Sequence, residues 1–119
     1  MLQLLIYPKC STCQKAVRWL NENGVEYHIR NIVEDPLSVS ELRNLHLESN
    51  LPLKKFFNTS GIKYRELNLK DKIPQLTDEE LYELLASDGM LVKRPLVYDR
   101  NQVTLGFKLL EYEAMWLNS

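Results

Sequence analysis

The first apolar run of the chain is short and dense. Leu2, Leu4, Leu5 and Ile6 lead into Tyr7-Pro8, and a run of that length closed by proline predicts a buried strand. From Ser11 to about Asn23 the spacing becomes that of a helix, with Ala16, Val17, Trp19 and Leu20 on one face and Gly24 as its stop. Val25–Ile32 carries Val25, Tyr27 and Ile29 at alternate positions and reads as a second strand. Short connections between these three elements predict a parallel strand pair joined by a right-handed crossover.

The middle of the chain is helical in pattern. Ser38 is a candidate N-cap with Glu41 three residues on and Leu37/Leu42 as a hydrophobic staple. The device recurs at Thr77 and Glu80 with Leu76/Leu81, and Gly89 is the expected stop. Between them, "LKKFFNTSGIKYRELNL" predicts one or two short helices broken at Asn58–Gly61. Strand character returns at Leu96–Tyr98 and Gln102–Leu105, which flank Asp99-Arg100-Asn101 as a hairpin. An amphipathic helix over Phe107–Leu117 closes the pattern, with Leu109, Leu110, Met115 and Trp116 as apolar positions. The order β-α-β, helical block, β-β-α predicts an α/β chain of thioredoxin-like arrangement. One domain over 1–119 is expected, with a mixed sheet and a helical insertion at approximately 37–88.

Composition narrows the function. Net charge is −1, so there is no basic footprint of the kind that neutralises phosphates, and direct nucleic-acid binding is not expected. The opening apolar run is too short for a membrane span or a signal segment. A cytoplasmic, monomeric protein is the expectation, and in that compartment thiols are kept reduced and disulfides serve catalysis.

Both cysteines of the chain fall in "YPKCSTCQKA". Cys10 stands at the junction of the first strand and the first helix, where backbone N–H groups and the helix dipole favour an anion. Lys9 adds a neighbouring positive charge. Both effects favour a nucleophilic thiolate at Cys10. Cys13 lies one turn deeper on the same face and suits the second step, attacking a mixed disulfide on Cys10 and releasing the partner. Ser11 and Gln14 could form a capping box over this turn. Two other uses of the pair stay open at this point. A zinc site needs two further ligands, and His28 and His46, the only histidines, fit no such spacing. Two thiols with no task are the remaining alternative.

Taken together, "YPKCSTCQKA", "RNIVEDPLSVSEL", "KKFFNTSGIKYRELNLKDK" and "LLASDGMLVKRPLV" resemble motifs of the ArsC/Spx family in order and spacing, across nearly the whole chain. That family contains glutaredoxin-dependent arsenate reductases and the redox regulator Spx. The resemblance implies a thioredoxin-like fold in which a cis-proline, matching Pro95, sits opposite the active-site cysteine, matching Cys10. It implies that Arg94 holds an oxyanion or the thiolate, and that Lys9, Ser11, Thr12, Asn58, Pro95 and Lys108 lie in the substrate-binding region. No bound cofactor or metal is implied. Glutathione with glutaredoxin, or thioredoxin, would be the external reductant, and a small oxyanion or a disulfide the substrate. The Spx side of the resemblance implies a protein partner such as the α subunit of RNA polymerase. The chain departs from the reductase pattern at two of its three arginines: Asn58 stands at one, and Phe107, followed by Lys108, stands at the other. It departs from Spx at Leu51-Pro52, where that regulator has a glycine.

Overall fold

The computed structural model describes residues 1–117. Along them run β1 (Leu2–Ile6), α1 (Ser11–Glu22), β2 (Tyr27–Asn31), α2 (Val39–Ser49), α3 (Ile62–Glu66), α4 (Leu69–Lys72), α5 (Asp78–Ser87), β3 (Leu96–Asp99), β4 (Gln102–Leu105) and α6 (Leu109–Met115). Single 3₁₀ turns occupy Leu53–Phe56, Ile73–Gln75 and Gly89–Leu91. The chain forms two compact units, one of residues 1–31 with the chain from Arg94 onward, the other of Ile32–Lys93. Among the described residues no helix is long and apolar enough to cross a membrane.

The first unit holds a four-stranded mixed sheet in the order β2-β1-β3-β4. β1 and β2 are parallel, with Leu2 opposite Tyr27 and Ile6 opposite Asn31, whereas β3 is antiparallel to both β1 and β4. Alternation in β1 sends Leu2, Leu4 and Ile6 to one face. There they join Ala16, Trp19 and Leu20 of α1, Val97 of β3, and Tyr112 and Trp116 at the chain's end in one buried cluster. Each large side chain so buried contributes about 1.5–3 kcal/mol. Tyr112 is pinned within this cluster by the edge-to-face rings of Trp19 (centroids 5.5 Å apart) and Phe107 (4.7 Å).

Local chemistry moves several element ends from their expected places. Gly24 has φ +64°, which a residue without Cβ adopts at no steric cost. Val25 then donates its N–H to Leu20 O at 3.0 Å. It therefore closes the turn after α1, and β2 begins only at Tyr27. The hairpin loop is Arg100-Asn101, because Asp99 pairs with Gln102 and Arg100 takes a left-handed φ of 53°. The last helix starts at Leu109, two residues later than expected. Gly106 (φ +82°) donates to Pro95 O at 2.8 Å, which holds the chain on the sheet past β4, and Lys108 is still extended.

In the second unit both capping boxes form. Ser38 Oγ accepts from Glu41 N–H at 3.1 Å and Glu41 Oε1 from Ser38 N–H at 3.0 Å. Thr77 and Glu80 repeat the pair at 3.2 and 3.0 Å. α2 and α5 are joined by His46 Nδ1 and Tyr82 Oη, 2.6 Å apart, and by Arg43, which donates to both carboxylate oxygens of Glu79. The segment between them breaks twice, at Asn58–Gly61 as expected and again at Asn68, whose φ is 53°. Gly89 is not the helix stop. α5 ends at Ser87, and Asp88 Oδ1 accepts from Met90 N–H at 2.8 Å to open the following turn.

The second capping box carries a pH signature. Hydrogen bonds from the Thr77 backbone and hydroxyl hold the Glu80 carboxyl below its ordinary pKa. A carboxylate depressed in the fold stabilises it above the unfolded pKa, and that stability is lost as pH falls through the folded value. Thr77→Ala is expected to cost about 1 kcal/mol near neutrality. The gap to wild type should narrow as pH falls through the lowered Glu80 value. Urea titrations at neutral pH and in acid well below the ordinary carboxyl value of about 4.3 test this, and an undiminished gap at the lower pH rules out the Glu80 share.

Candidate active site

The loop between β1 and α1 is a tight turn, closed by Cys10 N–H on Tyr7 O at 3.0 Å. It leaves Cys10 extended (φ −90°, ψ 115°) as the N-cap of α1. In that position Cys10 Sγ accepts the N–H of Cys13 at 3.3 Å. The capping box expected between Ser11 and Gln14 does not form, because the Gln14 amide is drawn away to donate to Pro8 O at 2.9 Å. The first turn of α1 contains no acidic side chain, so nothing there opposes the favourable field of the helix N-terminus on an anion at Cys10.

The two thiols occupy unlike environments. Cys10 is half-buried and Cys13 fully buried. Burial, and next the hydrogen bond to Cys10, push the Cys13 thiol up to about 12, while a backbone hydrogen bond from Tyr7 and the positive charge of Arg94 pull the other way. Arg94 precedes Pro95 across a cis peptide bond, and its guanidinium carbon lies 5.7 Å from the centroid of the Tyr7 ring. A guanidinium over an aromatic face at that distance is an attractive cation–π contact. Arg94, Tyr7, Cys10 and Cys13 thus form one neighbourhood, and Pro95, next to Arg94 in the chain, is buried. Among the described residues no three His, Cys, Asp or Glu side chains form a group able to hold a metal ion.

The other residues singled out in the sequence are placed as follows. Lys9 and Ser11 are exposed beside Cys10 and Thr12 is half-buried. Lys108 is exposed at the start of α6 and makes no side-chain cap. Asn58 belongs to the second unit, and its groups serve its own turn. Its N–H donates to Leu91 O at 2.8 Å, its carbonyl accepts from Gly61 N–H at 3.1 Å, and its Oδ1 accepts from Ser60 Oγ at 3.4 Å. Phe107 is half-buried against Tyr112. Tyr7 and Tyr112 were not singled out. Tyr7 could have been, since an aromatic residue three before Cys10 on a strand end must lie at the mouth of the turn. Tyr112 offered no such signal, being one apolar position of a final helix.

The ArsC family model matches residues 5–115. The chain belongs to the ArsC family. It is 56% identical over 110 residues to the uncharacterized protein YusI of Bacillus subtilis, covering 92% of this chain and 93% of that one. Among solved structures, a Streptococcus mutans protein described as "a possible arsenate reductase" is 44% identical, with a TM-score of 0.88 over 95% of this chain and 98% of the other. The global transcriptional regulator Spx 1 of Bacillus cereus is 28% identical over 107 residues, 90% of this chain and 80% of the regulator. The α/β architecture is therefore that of this thioredoxin-like family, and the family includes proteins named as reductases and as regulators.

Proposed function

We propose that this ArsC-family chain is a thiol oxidoreductase working in a reducing compartment such as the cytosol. The Cys10 thiolate attacks one sulfur of a disulfide R–S–S–R′, forming Cys10–S–S–R and releasing R′S⁻. Cys13 then attacks the Cys10 sulfur and releases RS⁻, which takes up the proton that Cys13 gives up. An external dithiol reductant, or glutathione with glutaredoxin, returns the pair to the reduced form. One observation carries the reading: Cys10 Sγ caps α1 on the N–H of Cys13 at 3.3 Å, with the Cys13 side chain buried directly behind it. A sulfur so placed is reached from outside at Cys10 and resolved from inside by Cys13.

The test is Cys13→Ser. That variant should accumulate a mixed disulfide with added glutathione disulfide, and Cys10→Ser should not. Accumulation in neither variant sinks the two-cysteine route.

Arsenate is the competing substrate, and the two departures weigh against it. Asn58 carries no charge and its amide is occupied in its own turn, and Phe107 offers a ring where a cation would hold an oxyanion. Each charged hydrogen bond to a bound anion is worth about 1.5–3 kcal/mol. Purified protein with glutathione and glutaredoxin is expected to reduce arsenate hundreds of times more slowly than it exchanges disulfides, and brisk turnover at micromolar arsenate would reverse this assignment. The Spx match favours a second reading, in which oxidation of the same pair alters contact with a protein partner such as RNA polymerase. Equal affinity of the oxidised and reduced forms for the polymerase α subunit would exclude redox control of that contact, and no affinity in either form would exclude the partner.

A further inference from the structure

Tyr112 is wholly buried although it carries a hydroxyl, and its contacts are spread over three segments of the first unit. Its Oη donates to Gly106 O at 3.2 Å, and Gly106 in turn donates its N–H to Pro95 O at 2.8 Å. A two-bond chain therefore runs from the end helix to the Arg94–Pro95 segment. The Tyr112 ring meets Trp19 edge-on at 5.5 Å, and Trp19 lies on the same buried face of α1 as Cys13. On its other side the ring holds Phe107 at 4.7 Å. Thr104 completes the surroundings: it hydrogen-bonds the Tyr112 hydroxyl and also accepts from Trp116 Nε1 at 3.1 Å.

A buried hydroxyl is retained at a cost unless it is fully bonded, and a phenylalanine would fill this place equally well as packing. What the hydroxyl adds is a fixed distance between the cysteine-bearing helix and the Pro95 carbonyl. We infer that Tyr112 is a positioning residue for the resolving step: through Gly106 and Pro95 it holds the segment that sets Arg94 over the Tyr7 ring at the mouth of the cysteine turn, while through Trp19 it sets the helix that carries Cys13. The inference rests on the two-cysteine exchange proposed above. It concerns Cys13 more than Cys10, because burial pushes the Cys13 thiol up, while a backbone hydrogen bond from Tyr7 and then the Arg94 charge pull it back. The Tyr112 hydroxyl itself stays protonated, burial holding it well above its ordinary range. It therefore orients and takes no proton.

The experiment separates the two steps in one trace. Reaction with 5,5′-dithiobis(2-nitrobenzoate) releases one nitrothiobenzoate when Cys10 attacks and a second when Cys13 resolves. Wild type should show two equivalents, the second phase first-order and independent of reagent concentration. Tyr112→Phe should leave the first phase within twofold and slow the second about tenfold. Trp116→Phe removes a hydrogen bond from the same core without touching the Gly106–Pro95 chain. It should lower the melting temperature at least as much and leave the second phase unchanged. Equal second phases in wild type and Tyr112→Phe overturn the inference alone, as does equal slowing in Trp116→Phe, which would mark a stability effect. A single equivalent from wild type overturns the two-cysteine exchange and the inference with it.

Discussion

Alkylation of the folded protein at pH 8 is expected to go to Cys10, with Cys13 modified at least a hundred times more slowly. Two barriers act on Cys13. Its side chain has no exposed surface, and its thiol is pushed up to about 12, chiefly by burial. Only the thiolate reacts, so with that value the reactive fraction at pH 8 is on the order of 10⁻⁴. The rate at Cys13 should then climb about tenfold per pH unit from 8 to 11 without a plateau, since it follows that fraction. Iodoacetamide labelling read by peptide mass measures both thiols in one sample, and comparable rates at pH 8 would refute the asymmetry. The same shift has a consequence for stability. The ordinary thiol value is 9.0, so between pH 9 and pH 12 the unfolded chain loses a proton that the folded chain keeps. Stability from this group is complete below pH 9 and declines as pH rises toward 12.

This asymmetry suits an ordered exchange. A resolving thiol that stays protonated does not compete for the incoming disulfide. In the resting pair it donates to Cys10. Once Cys10 is bound to an external sulfur, Cys13 keeps the pull of Arg94 and of the Tyr7 backbone. Cys13 loses its proton to solvent before it attacks, because only the thiolate reacts, and the leaving RS⁻ takes up a proton, so the exchange balances. The order of events follows from the deeper burial of Cys13.

How far the sequence reveals this site depends on how local each feature is. The unequal roles of Cys10 and Cys13 are readable because they follow from one strand end and one helix start. Even there the cap is misplaced: Ser11 is the commoner N-cap type, but the Tyr7–Cys10 turn extends the backbone one residue earlier and makes Cys10 the cap. Both capping boxes of the second unit are readable, since each is closed within four residues. The break at Asn68 is not, because only a left-handed asparagine marks it and "ELNLKDK" otherwise favours continuation. The cis peptide before Pro95 was expected through family resemblance and not through any propensity of the Arg-Pro pair. Tyr112 lies beyond local reasoning. Its partners at Trp19, Gly106 and Thr104 come together only when the sheet places β4 beside β3 and the end helix beside α1.

Replacing Gly89 with alanine is expected to cost about 3 kcal/mol, the upper end of what overpacking a dense interior costs, and to lower the melting temperature by roughly 10 °C. The reason is contact and not backbone angle. A Cβ at Gly89 would lie 2.1 Å from Ile32 O and 2.6 Å from Ile32 C, both backbone atoms. Neither can rotate away as a side chain could, so one of two segments must move. The turn Gly89–Leu91 cannot shift freely either, because Leu91 O accepts from Asn58 N–H at 2.8 Å and Val92 pairs with Phe57. The displacement therefore reaches the Asn58 turn, and native-state hydrogen exchange should show the Asn58 amide losing protection more than amides of α2. Gly61→Ala is the control. Its Cβ would fall 2.7 Å from Asn58 Nδ2, the end of a rotatable amide, and 3.2 Å from the backbone Asn58 O, a far milder backbone contact than the 2.1 Å at Gly89, so a loss within about 1 kcal/mol is expected. Equal losses at Gly61 and Gly89 would show that backbone contact is not what makes Gly89 indispensable.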